Sequence, residues 1–149
     1  MRILVFLALL CAACSTSPFE QQQDSLGGAQ RRWRAAAIPD YSFTFQRGCF
    51  CIPTATRAVT ITVLQGAWAS LRYVDDGTVA DTSLFRDFLT MERAFAFLRR
   101  ALDEQPATFD ASYAAQLGFP AEVYIDYSAG IADDEGSFRI SDLQILTLW

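Results

Sequence analysis

Between Tyr41 and Cys51 the chain reads YSFTFQRGCFC, with Tyr41, Phe43 and Phe45 at odd positions and Ser42, Thr44 and Gln46 between them. This period-two alternation predicts a half-buried strand, because successive side chains point to opposite faces of a sheet. The odd face continues through Arg47 into Cys49 and Cys51, interrupted only by Gly48. The same period returns over Thr56–Leu64, where Val59, Ile61 and Val63 alternate with Thr60 and Thr62. Gln65-Gly66 is a hairpin signal. Ala67–Val74 is the returning strand, closed by the turn residues Asp75-Asp76-Gly77. In the second half, Ala107–Tyr113, Glu122–Tyr127 and Phe138–Trp149 carry strand patterns. In the last of these the apolar parity shifts near Asp142, which predicts a bulge.

Two segments follow the helical period instead. Leu26, Ala29, Trp33 and Ala36-Ala37 share one face, with Arg31, Arg32 and Arg34 largely off it. Pro39 is expected to end that helix. Met91, Ala94, Phe95, Leu98, Ala101 and Leu102 form an i, i+3, i+4, i+7 stripe, which predicts a helix over Met91–Glu104 capped by Thr90. Val79–Leu89 has no usable period. The element order is α-β-β-β-α-β-β-β, although the halves share no clear sequence repeat. Hairpin connections imply an antiparallel sheet with two helices on one face, an α+β fold. The order of strands in that sheet is not written in the pattern.

Composition narrows the chemistry. The chain has 149 residues with 52% hydrophobic and 13% aromatic content, enough for one domain with a real core. All 12 basic residues are Arg, and Lys, His and Asn are missing altogether. The commonest general base and metal ligand is therefore absent, as is Schiff-base chemistry. A net charge of −5 with scattered Arg argues against nucleic acid as a partner.

The N-terminus reads as a leader. Arg2 precedes an apolar run, Ile3–Leu10, that is too short to span a bilayer as a helix. Cys11, Ala12 and Ala13 then lead into Cys14 and a polar Ser15-Thr16-Ser17. This arrangement resembles a bacterial lipobox, with Cys11 standing where Leu is usual. The resemblance implies residues 1–13 as lipoprotein signal peptide, lipidation at Cys14, and residues 14–25 as lipidated cysteine and tether, the plain alternative being an ordinary secretory signal cut nearby; length and element pattern leave residues 26–149 as a single α+β domain. The lipobox resemblance also implies a cell-envelope location with the membrane engaged through the lipid, at the outer membrane facing the periplasm in a Gram-negative cell.

With Cys11 discarded and Cys14 lipidated, Cys49 and Cys51 remain, an even number for an oxidising compartment. Three readings stand: a disulfide, a soft-metal site and a redox pair. Two thiolates without His are a thin donor set for a metal, and only Arg47 offers the positive charge that would activate a thiol. A disulfide here demands a kink. Residues two apart in a flat strand lie about 6.4–6.8 Å apart, the long end of the disulfide range. Gly48 and Pro53 supply the means to bend.

Trp33, then Tyr41-x-Phe43, then Cys49-x-Cys51 resembles an uncharacterised family of bacterial lipoproteins and secreted proteins. Tyr113, Gly118-Phe119-Pro120, Ile125-Asp126 and Asp133-Asp134-Glu135 extend the resemblance over residues 33–143. The family pattern has Tyr-Asp before its Gly-aromatic-Pro turn, whereas Ala114 stands at that Asp here. The resemblance implies an envelope location and no assigned reaction. The α-β-β-β halves also resemble small secreted modules that inhibit or shield peptidases, an analogy of fold alone.

No catalytic triad, phosphate loop or zinc signature is present in the sequence. Asp126, Asp133, Asp134 and Glu135 are the candidate binding residues, against the plain reading that turns and sheet edges favour solvated acids. Tyr41, Phe43 and Phe45 either line a ligand pocket or fill the core. The expectation is a non-catalytic envelope module that binds a protein or cell-wall partner, without cofactor or metal. The alternative is an envelope thiol–disulfide protein using Cys49 and Cys51, favoured if that pair is exposed beside a cleft.

Overall fold

The computed structural model describes residues 17–131 and 133–147. The leader and Cys14 lie outside the described residues. Helix α1 spans Pro18–Ala36. Its start is set by a capping box: the Ser17 hydroxyl accepts from the Glu20 N–H at 3.2 Å, and the Glu20 carboxylate accepts from the Ser17 N–H at 2.8 Å. Residues 18–25, expected as tether, are therefore helical. The polar composition that suggested a tether belongs to an exposed first part of the helix. Gly27 and Gly28 each cost about 1 kcal/mol in a helix interior, and burial of Leu26, Ala29 and Trp33 offsets that loss. The helix stops at Ala36, before Pro39 can act, with Ala37 in the left-handed region at φ 47°.

Strands β1 (Tyr41–Gly48), β2 (Val59–Leu64), β3 (Ala67–Tyr73), β4 (Thr108–Tyr113), β5 (Pro120–Asp126) and β6 (Glu135–Ile145) form one six-stranded sheet, ordered β3-β2-β1-β6-β5-β4. Every pairing is antiparallel. Each half is a three-stranded meander, and the meanders join where the last strand pairs with the first. The register Phe45↔Ile140 and Arg47↔Phe138 sets this seam. The register shifts at three places, one of them between Ser112 and Tyr113 where β4 meets β5. Ser42 pairs with Gln144 and Thr44 with Ser141, so β6 carries an extra residue beside Asp142, which takes φ 51°. Thr62 pairs with Ser70 and Val63 with Trp68, which places a second bulge in β3. The tight turn at Gln65 (φ 52°) and Gly66 (φ 74°) has the positive dihedrals that a two-residue hairpin prefers.

Several boundaries differ from the sequence pattern, β5 for one beginning at Pro120 rather than Glu122. Pro53–Thr56 forms a four-residue helical turn, α2, so β2 begins at Val59 rather than Thr56. β6 begins at Glu135 rather than Phe138 and ends at Ile145. The connector before the next helix contains two short 3-10 turns, Thr82–Leu84 and Arg86–Phe88, the first capped by Asp81. Helix α3 covers Met91–Asp103, and the Thr90 hydroxyl accepts from the Arg93 N–H at 3.3 Å as a cap.

One sheet face is dry. Tyr41, Phe43, Phe45, Val59, Ile61, Val63, Leu71, Phe109, Val123, Ile125, Phe138 and Ile140 are buried there beneath α1, α3 and the connector. Phe95 and Leu98 are fully buried, as their stripe predicts. Tyr41, Phe43 and Phe45 are core residues, so the ligand-pocket reading of that aromatic stripe does not hold.

Candidate functional site

β1 stops pairing at Gly48, and the chain turns at once. The Cys51 N–H donates to the Cys49 carbonyl at 2.9 Å, a three-residue turn with Phe50 at its apex. That turn draws the Cys49 and Cys51 Cα atoms to 5.2 Å, and their sulfurs are 2.04 Å apart, a disulfide. The kink that a flat strand would have needed is therefore present, and it lies at Phe50 itself. Phe50 is left 86% exposed and Ile52 59% exposed. Cys51 is exposed and Cys49 half-buried.

Beneath the turn, on the helical side of the sheet, lies a cleft of about 210 Å³. Phe88 from the connector, Phe97 from α3, Phe138 from β6 and Ile125 from β5 line it, with the disulfide at its rim. The rings pack edgewise or tilted, with Phe88 5.0 Å from both Phe97 and Phe138. Arg47 reaches into the same cleft. Its guanidinium donates to the Leu84 carbonyl at 3.0 Å and stands 5.2 Å from the Phe88 ring centre. Burial holds this guanidinium below the usual arginine range, and the charge of Asp87 works the other way. Asp87 is itself bound to Arg100 at 2.8 Å. Tyr127 completes the mouth; burial and the charge of Glu104 raise its phenol above the ordinary value.

The candidate acids gather at the β5–β6 end of the sheet. Asp133 and Glu135 line a second depression of about 370 Å³ on the other flank of the disulfide turn, together with Cys49, Phe50 and Tyr124. Asp126 stands opposite Glu135 across the β5–β6 pair, beside Asp134, and also accepts from the Ser128 N–H at 3.0 Å. Asp134 has one carboxylate oxygen shut off from solvent; that desolvation, with the charges of Asp126 and Glu135, raises its pKa. Among the described residues no cluster of three or more His, Cys, Asp or Glu is arranged to hold a metal ion. The open face of the sheet carries a shallow polar groove of about 800 Å³ that includes Asp110, Glu122, Tyr124 and Arg139. Glu122 and Arg139 are tied to each other there at 2.6 Å.

The sequence profile of a family of unknown function, DUF6174, matches residues 25–145. The chain belongs to that family. No curated protein and no solved structure shows significant similarity to it.

Several residues behind the resemblance seen in the sequence act as scaffold in this DUF6174 chain. Trp33 Nε1 donates to Glu92 Oε1 at 2.9 Å, and the Tyr41 hydroxyl accepts from the Met91 N–H at 3.0 Å, joining α1, β1 and α3. Burial pushes the Tyr41 phenol up, with the Met91 N–H acting against it and the Glu92 charge adding to it. Gly118 takes φ 80°, and a Cβ built on it would meet the Ala29 carbonyl oxygen at 2.3 Å, so the Gly-Phe-Pro turn sits directly against α1. Cys49, Cys51, Asp126, Asp133, Asp134 and Glu135, the expected site residues within the described chain, share one end of the sheet. Phe88, Phe97, Asp87 and Tyr127 are site residues that the sequence did not single out. Phe85 and Phe88, three apart in an otherwise aperiodic connector, were the one available signal for the cleft wall.

Proposed function

We propose that this chain is a lipid-anchored cell-envelope protein acting as a non-catalytic binding module, with the disulfide turn at its binding edge. The lipobox-like run ending at Cys14 supports the anchor. One observation carries the binding role: Phe50 stands exposed at the apex of a turn whose ends are clamped by a disulfide, with Ile52 exposed just beyond the clamp, beside an apolar cleft. Aromatic residues, Phe among them, are enriched at protein interfaces relative to the rest of the surface. A clamped turn also loses less conformational freedom on binding than a flexible loop does. A photo-crosslinking residue placed at position 50 in the intact cell should yield one discrete adduct, diminished by Ile52→Asp. A uniform smear or no adduct would count against the reading. Intact mass of the membrane-extracted protein should correspond to a chain starting at Cys14 plus acyl groups.

A second reading has its own support. The Cys49–Cys51 pair is accessible, lies beside a cleft and has Arg47 as a neighbour lining that cleft. These features suit a thiol–disulfide protein of the envelope, in which a substrate thiolate attacks one sulfur and the other leaves as a thiolate. Turnover of a glutathione-coupled disulfide exchange assay, abolished in the Cys49→Ser/Cys51→Ser double variant, would favour this reading over the first.

A further inference from the structure

The cleft beneath the disulfide turn is apolar in its body and carries the Arg47 guanidinium and the Asp87 carboxylate in its lining. An apolar cavity of about 150 Å³ is enough to accept benzene. The 210 Å³ here therefore holds one ring, or a branched aliphatic group, with a short tail. Phe88, Phe97 and Phe138 form the walls that such a group would touch.

The polar end is set by Arg47. A guanidinium has five N–H donors, and this one spends a bond on the Leu84 carbonyl and a stacking contact on Phe88. Among the described residues no carboxylate lies within ion-pair distance of it. The acid whose charge acts on it, Asp87, is hydrogen-bonded to Arg100 instead. Near the mouth the guanidinium groups of Arg47 and Arg100 thus face the carboxylates of Asp87 and, beside Tyr127, Glu104, and of the two guanidinium groups it is Arg47 that has no ion pair among the described residues. Arg47 is also partly desolvated, and a half-buried cation gains more from an added anion than a solvated one does. The Tyr127 hydroxyl stands at the same mouth as a further donor.

We infer that this cleft binds an amphipathic carboxylate: a single aromatic or branched apolar group carrying a carboxylate a few bonds away, which pairs with Arg47. The same chemistry is offered by a free small acid and by the C-terminal residue of a peptide. The inference rests on reading this end of the sheet as the binding edge, and it adds the ligand class.

The test compares 3-phenylpropanoate with its neutral isostere 3-phenylpropanamide on the full chain, by NMR of the aromatic rings and by calorimetry. The acid should bind at least about tenfold more tightly, as one charge-assisted pair allows. The shifts should centre on Phe88, Phe97 and Phe138. Arg47→Gln should remove the preference for acid over amide. Phe97→Trp should block both ligands while leaving Arg47 in place. N-acetyl-Ala-Phe distinguishes the sources: binding at least as tight as the simple acid assigns the cleft to peptide ends, and much weaker binding assigns it to free acids. Equal affinity of acid and amide for the wild-type protein overturns the inference without recourse to any variant. So does an absence of ring shifts at millimolar acid. Either of those results, obtained while the position-50 adduct persists, leaves the binding-module reading intact; loss of the adduct with acid binding retained does the reverse.

Discussion

Gly118→Ala offers a sharp check on how the two halves are held together, because Gly66→Ala supplies a matched control. Both glycines have left-handed dihedrals, φ 80° and φ 74°. Alanine pays about 1–2 kcal/mol in that region, partly offset by about 0.4–1 kcal/mol from a stiffer unfolded chain. Their surroundings differ completely. A Cβ on Gly66 meets nothing within 4 Å. A Cβ on Gly118 would stand 2.3 Å from the Ala29 carbonyl oxygen and 3.0 Å from the Arg32 Cβ. Ordinary contact begins at 3.4 Å, so the turn must back away from α1 by 3.4 − 2.3 = 1.1 Å. Forcing extra volume into a packed region costs about 1–3 kcal/mol. Gly66→Ala should therefore lose about 1 kcal/mol or less, and Gly118→Ala about 2–4 kcal/mol. Urea unfolding followed by tryptophan fluorescence, with buried Trp33 as one reporter, measures both. Losses that agree within about 0.5 kcal/mol, the ordinary scatter of surface changes, would refute the claim that α1 and the turn are in obligate contact.

Three further outcomes are expected. Phe95→Ala should destabilise the protein by about 3–5 kcal/mol, since the ring is fully buried, and a loss near 1 kcal/mol in the same urea assay would contradict its place in the core. Alkylation of protein isolated without reductant, read by mass spectrometry, should find Cys49 and Cys51 protected and both labelled after reduction; two free thiols at the outset would remove the clamp. Asp76 has its pKa depressed to about 2, first by the Thr78 hydroxyl and N–H and then by Arg57. A depressed carboxylate stabilises the fold above its unfolded value and ceases to do so as pH falls through the folded value. The stability advantage of wild type over Asp76→Asn should therefore be full at pH 5 and fade towards pH 2, and an advantage that grows on acidification would contradict the assignment.

How far the chain could be read depended on whether a feature was local. The alternation at Tyr41–Phe45 and the stripe from Met91 to Leu102 each report which face of one element is buried, and both faces are as read. The parity shift at Asp142 was equally legible, because a bulge is one extra residue in one strand. The disulfide turn needed only two cysteines and the rise of a strand. Strand order was not local: pairing of β1 with β6 depends on which of the two free edges of each meander meet, and no residue pattern records that. α1 was read too short because its first turns are set by Ser17 and Glu20 rather than by apolar periodicity. The cleft was the least legible feature. Its walls come from the connector, α3, β5 and β6, brought together only by the long-range seam, and its charge depends on Asp87 pairing with Arg100 rather than with Arg47. Sequence by itself thus determined the elements and their buried faces, since those follow from spacing along one chain segment. The tertiary structure decided the binding edge, since that is a matter of which distant segments share a few ångströms of space.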